Sequence, residues 1–209
     1  MTKPLLATLL LLNLGLANLH VATAHSAQIS ISSDGVDIHY EVHGEGEPTL
    51  VFIHGWSCDR SYWRAQVEYF AKQNQVITID LAGHGESGTN RSDWNLRDYG
   101  TDVVSVVNAL QLEKLVLVGH SLGGHVALEA ASLMQEKVLM VIGADSLHDL
   151  SATFSEEEMM ALSQAMGTDF RATAEDMVRR QMFLPEADIS LTEAVASDIG
   201  SAPPAIAID

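Results

Sequence analysis

The sequence is short of basic residues and almost without cysteine. Lysine and arginine together number 11, against 28 aspartates and glutamates, which gives a formal charge of −17 at neutral pH. Such a surface repels phosphate backbones. That argues against nucleic acid as a partner and leaves solubility as the plain meaning of the charge. The single cysteine, Cys58, excludes an internal disulfide, so the core must hold together without covalent staples. No base is arranged beside Cys58 in the sequence, and it reads as a small packed residue rather than a reactive thiol. There is no repeat period, no long Pro, Gly and Ser tract and no block of like charge, which removes fibrous and disordered readings. What remains is 209 residues, 47% of them apolar, enough for one domain with a sizeable core.

The N-terminus differs in character. Lys3 precedes "PLLATLLLLNLGLANLHVATA", an apolar stretch closing on Ala22-Thr23-Ala24. A positive start, a short apolar region and a small-x-small site describe a secretory signal peptide. A spanning helix needs about 20 largely apolar residues, and Asn13 and Asn18 interrupt this one. The expectation is export, to the periplasm or the medium, with cleavage near Ala24. Membrane contact is expected only through this segment, as signal or uncleaved anchor. Residues 1–24 are therefore set apart from the fold.

From residue 25 to about 150, apolar strands alternate with helical patterns. "VDIHYEVHGEG" alternates before a glycine turn, the mark of an early strand. "TLVFIHG", "QVITID", "KLVLVG" and "KVLMVIGAD" are continuous apolar runs, as in strands buried on both faces. Between them, Trp63, Val67, Phe70 and Ala71 recur at helical spacing, with Asp59 or Ser61 as caps. "NLRDYGTDVVSVVNAL" and "LGGHVALEAASLM" are two further helices, the first capped by Asn95 with Asp98. The class is α/β: a mostly parallel sheet with helices on both faces. Over 151–209 no strand pattern returns. Ser155–Glu158, Thr173–Asp176 and Ser190–Glu193 read as capping boxes opening helices of a cap or lid. Five of the eight methionines fall there (Met159, Met160, Met166, Met177 and Met182). They read as core filling first and as an adaptable apolar ligand surface second.

The chemistry sits in "LVGHSLGG". Gly119-His120-Ser121-Leu122-Gly123 fits G-x-S-x-G and lies between an apolar strand and a helix, the context that gives the motif meaning. A sharp turn there lifts the serine oxygen above the sheet, and the flanking glycines let backbone approach closely. The turn also aims the first amides of the helix at whatever the serine attacks.

On these residues the chain resembles the α/β-hydrolases, over about residues 30–150. "FIHGW" (52–56) resembles that family's oxyanion loop, "DLAGHGES" (80–87) its turn after the next strand, and "GHSLGG" its nucleophile elbow. The resemblance implies that Ser121 is the nucleophile and that the backbone amides of Trp56 and Leu122 form the oxyanion hole. It implies hydrolysis of a small ester-type substrate. Epoxide hydrolases and haloalkane dehalogenases of this fold carry an aspartate at the elbow, so Ser121 argues against both. Lactonases, cofactor-free perhydrolases and C–C bond hydrolases keep the serine. His54 is read as shaping the oxyanion loop, and His84 and Glu86 as structural. His120 is read as pointing away from the reaction and His125 as packed or half exposed. No histidine pair has metal spacing with a supporting carboxylate, so no metal and no cofactor is expected.

A serine needs a base, and the base an orienting carboxylate. The family order is serine, acid, histidine. Asp145, ending the strand after the elbow, is the candidate acid. His148 preserves the order but leaves the same strand end as Asp145, so it is a poor base. The resemblance places the family's histidine after later strands, and these are expected to lie beyond residue 209 in a longer native chain, the cap being incomplete. A sheet ending at "KVLMVIGAD" would also leave an apolar edge open to aggregation. The competing expectation is a non-catalytic binding protein of the same fold.

Overall fold

A computed structural model describes residues 28–147 and 155–208. The proposed signal peptide and His148 lie outside the described residues. Among the described residues, six strands form one sheet: Gln28–Ile31 (β1), Asp37–His43 (β2), Thr49–Ile53 (β3), Val76–Ile79 (β4), Leu115–His120 (β5) and Val138–Ala144 (β6). Their spatial order is β1-β2-β4-β3-β5-β6. β1 and β2 pair antiparallel, as do β2 and β4, whereas β4, β3, β5 and β6 run parallel. The strand runs expected from the sequence are all present, but Val138–Ala144 is not buried on both faces: as the edge strand it leaves one face largely uncovered. β1 is an addition, a short segment that pairs with β2 alone among the described residues.

The central strands read as unbroken apolar runs because both their faces are covered. Helices Leu96–Ala109 (α2) and Leu122–Leu133 (α3) pack Val103, Val106, Val107, Val126, Ala127 and Ala130 against Val51, Ile53, Ile77, Ile79, Leu115 and Leu117. On the opposite face, a 3₁₀ turn (Arg60–Trp63) and helix Arg64–Phe70 (α1) lay Trp63, Val67 and Ala71 over Leu50, Phe52 and Val76. Trp63 and Phe52 meet at a tilt of 39°, with ring centroids 4.7 Å apart. Burial of this kind contributes about 25 cal/mol per Å² of apolar surface. The chain winds one way from β3 to β4 and then crosses back to β5. The crevice at the carboxyl ends of β3 and β5 is therefore the switch point where ligands bind in open parallel sheets.

Helix starts follow local chemistry. Asp59 accepts from Ser61 N at 2.7 Å and Asn95 from Asp98 N at 3.0 Å. Ser155 and Glu158 form a reciprocal capping box at the head of Glu156–Thr168 (α4). The other two expected boxes are corrected. Helix Phe170–Met177 (α5) starts at Asp169, which accepts from Ala172 N, and Thr173 lies inside it. Helix Ile189–Ile199 (α6) starts at Asp188, which accepts from Ser190 N and Leu191 N. In each case an aspartate upstream of the expected cap supplies the acceptor, and every residue added to a helix gains a backbone bond.

Together with a π-type turn (Val178–Met182) and a final turn Pro204–Ala207 (α7), these helices carry their own apolar cluster. Met166, Phe170, Ala174, Val178, Ala196 and Ile199 enclose Cys58, with Trp56 and Tyr62 at the margin. Tyr62 Oη donates to Asp198 Oδ2 at 2.5 Å, and Trp56 Nε1 to Ala207 O at 2.9 Å. The cap is thus seated on the loop after β3. Of the five methionines, Met166 and Met177 fill this cluster, while Met159, Met160 and Met182 are exposed. At the far side, β6 is an edge strand, with Leu139 62%, Met140 56% and Ile142 42% exposed.

Candidate active site

Ser121 follows the last residue of β5 and caps α3 with φ +51° and ψ −119°. That left-handed backbone is costly for a residue with a side chain and persists only where its surroundings enforce it. The surroundings are visible. A Cβ on Gly119 would lie 2.1 Å from Gly123 O, and one on Gly123 would lie 2.3 Å from Ile53 O. Only glycine at both positions lets the helix start press against the strand ends. Ser121 N donates to Ala144 O at 3.2 Å, while Ser146 Oγ and Gly124 N donate to Ser121 O at 2.7 and 3.0 Å. The serine side chain is exposed at the carboxyl end of the sheet.

The loop after β3 closes on this turn. A Cβ on Gly55 would come within 3.3 Å of Ser121 Cβ and 2.9 Å of His120 Nδ1. Trp56 is the next residue, and Leu122 is the first of α3. The structure therefore brings Ser121, Trp56 and Leu122 to one point. Among the described residues, neither the Trp56 nor the Leu122 amide donates to another protein group. Beside them, a cavity of about 270 Å³ is lined by His54, Tyr62, Trp63, Gln66, His120 and Ala144. A larger cavity of about 650 Å³, bordered by Glu41, Arg60, Asp80 and Glu86, includes no part of the elbow.

His54 is wholly buried. Burial, reinforced by neighbouring His84, lowers its pKa to about 3, so the ring is neutral. It shapes the loop as expected: Nδ1 faces Gly55 O at 2.8 Å and Nε2 accepts from Leu81 N at 3.0 Å. His120 sits partly buried in the wall of the smaller cavity. His125 is exposed rather than packed, because its position on α3 faces outward. Burial pushes the Cys58 thiol up to about 12, which keeps it protonated and inert, as a packed residue should be. No group of three His, Cys, Asp or Glu side chains among the described residues is placed to hold a metal ion.

Asp145 leaves β6 beside the elbow, since the register pairs His120 with Ala144. It is exposed and adopts φ +46°. Sequence reasoning missed Ser146, whose hydroxyl holds the Ser121 carbonyl. Its one signal was adjacency to Asp145. Asp80 was likewise given no role by sequence reasoning. This buried carboxylate accepts from Arg60 N and Glu86 N and pairs with the Arg60 guanidinium, fastening the loop that carries His84.

Residues 48–185 match the model of the alpha/beta hydrolase fold family, and the chain belongs to that family. It is 41% identical over 85 residues to (E)-2-((N-methylformamido)methylene)succinate hydrolase of Acinetobacter baylyi, a match covering 41% of this chain and 32% of that protein. In structure it resembles an esterase from Exiguobacterium antarcticum (TM-score 0.79, 20% identity, 88% of this chain and 71% of the other). It also resembles a thermophilic esterase from Thermogutta terrifontis (TM-score 0.73, 25% identity, 88% and 70%). The matches span between 27% and 54% of the length of the curated relatives.

Proposed function

We propose that this chain carries the nucleophile of an exported serine hydrolase acting on an ester-type bond. The observation that carries the reading is Ser121, held at φ +51° at the end of β5 with the loop after β3 packed against its Cβ. Ser121 Oγ attacks the carbonyl carbon and gives its proton to a base, which passes it to the departing alcohol as the C–O bond breaks. Water then releases the acid from the acyl-serine and restores the hydroxyl. The Trp56 and Leu122 amides receive the negative charge of the tetrahedral intermediate, each such donor being worth roughly 3–4 kcal/mol. Asp145 orients the base from the end of β6. The hydrolase relative and the esterase from Thermogutta terrifontis support hydrolysis of an ester-type bond. The Lys3-led apolar segment ending at Ala24 supports export.

A fluorophosphonate probe, which phosphonylates activated serines, tests the nucleophile. The full-length native protein is expected to take up one equivalent, with intact mass and peptide mapping placing the adduct on Ser121, and its Ser121→Ala variant none. Equal labelling of the two proteins would overturn the assignment.

A further inference from the structure

Two buried histidines that take no part in the proposed chemistry grip each other's loops. His54 stands at the end of β3, and its Nε2 accepts from Leu81 N of the loop after β4 at 3.0 Å. His84 stands on that second loop, and its Nε2 accepts from Ser57 N of the first loop at 3.3 Å. Each ring's other nitrogen faces a carbonyl near its own position, Gly55 O at 2.8 Å for His54 and Ala82 O at 3.0 Å for His84. The ring centroids are 5.1 Å apart.

The partners settle the protons. An amide N–H requires an acceptor, so Nε2 of both rings must be bare. A carbonyl requires a donor, so both Nδ1 atoms carry hydrogen. Both histidines are therefore neutral Nδ1–H tautomers. Protonating either would set N–H against N–H and open one half of the pair.

What the pair positions follows from peptide planarity. Gly55 O and the Trp56 N–H belong to one planar trans unit and point in opposite directions. A hydrogen bond that holds the Gly55 carbonyl therefore aims the Trp56 amide. His54 Nδ1 supplies that bond, and Cys58 N reinforces it at 3.2 Å. On the other side of Trp56, Ser57 has φ +55°, a strained value that needs restraint. His84 supplies the restraint through Ser57 N.

We infer that His54 and His84 form a reciprocal clasp that positions the Trp56 amide as an oxyanion donor. This rests on the serine-hydrolase reading above. Both are positioning residues that act through the loop backbone. The charged and titratable groups around them are His120 and Asp59 beside His54, and Asp59, Asp80 and Asp102 beside His84. Asp80 is neutralised by Arg60 and Asp102 by Arg91. The Tyr99 ring also meets His84, with centroids 6.1 Å apart.

The test separates the two ring nitrogens. In His84→Gln the amide oxygen can replace Nε2 as acceptor for Ser57 N, whereas in His84→Asn the shorter side chain keeps only the donor toward Ala82 O. The second-order rate of Ser121 labelling by a fluorophosphonate is expected to fall about tenfold in His84→Asn, with His84→Gln restoring most of it. Imidazole ¹⁵N spectra of the wild-type protein are expected to show both rings as neutral Nδ1–H tautomers. Equal rates in the two variants, or an Nε2–H tautomer at either ring, would overturn the clasp. Failure of the full-length native protein to label at all would instead sink the nucleophile reading. The ¹⁵N spectra and the hydrogen exchange of the Ser57 amide, faster in Asn than in Gln if His84 holds it, would then still decide the clasp.

Discussion

Arg91 Nη2 lies 2.6 Å from Asp102 Oδ1, and both side chains are buried. The pair joins three parts of the chain. Asp102, on α2, also accepts from Ser32 Oγ at 2.6 Å and from Ala82 N at 3.3 Å. Arg91 reaches Asp34 with its Nε at 2.6 Å. Asp102→Ala is expected to cost about 3 kcal/mol. That is the lower end of the range for breaking a buried pair, because Arg91 keeps Asp34. Urea unfolding measures it. A loss below about 1 kcal/mol would show that the guanidinium finds water in the variant.

Gly123 carries a different load. An added Cβ would meet backbone, Ile53 O at 2.3 Å and His54 O at 2.4 Å, and backbone cannot rotate aside as a side chain does. Gly123→Ala is expected to lower stability by about 1–3 kcal/mol and to slow fluorophosphonate labelling of Ser121 as the helix start is pushed off the strand ends. Unchanged labelling in a folded variant would mean that the elbow tolerates the displacement.

Acid should weaken the fold through His54. Its native pKa is lowered from 6.5 to about 3, mainly by burial. Between those values the unfolded chain binds the extra proton, so stability is full above about pH 6.5 and declines as pH falls toward 3. The His54 share by pH 5 is about 2 kcal/mol. Burial shifts His84 in the same direction. Urea midpoints at pH 7 and pH 5 should differ less in His54→Gln than in wild type. Equal differences would mean that His54 protonates in the native state without penalty.

The open edge of β6 predicts association. Leu139, Met140 and Ile142 are exposed on a strand whose outer backbone groups no other strand pairs among the described residues. Such an edge templates further pairing, and charge blunts it. The polypeptide of these 209 residues should self-associate with rising concentration in sedimentation velocity, and Leu139→Lys with Ile142→Lys should suppress this. A monomer at every concentration would show that the edge is protected.

The sequence by itself determined strands β2 to β6, the alternation with helices and the nucleophile turn. Each of these is local: β-branched runs such as "VITI" prefer extended backbone, and Gly119-x-Ser121-x-Gly123 spells a turn within five residues. Capping was legible where a single acceptor stood at the helix start, as at Asn95 and Ser155. It failed at Thr173 and Ser190, where Asp169 and Asp188 reached the helix first. Tertiary structure alone decided which distant groups meet. β1 is a strand only because β2 lies beside it. Met159, Met160 and Met182 face outward because the cap cluster closes on Met166 and Met177. His54 finds Leu81 N across 27 residues, and His84 finds Ser57 N across another 27, because β3 and β4 are neighbours in the sheet. Spacing along the chain carries backbone preference, but a hydrogen bond between loops exists only once strand order has placed them side by side.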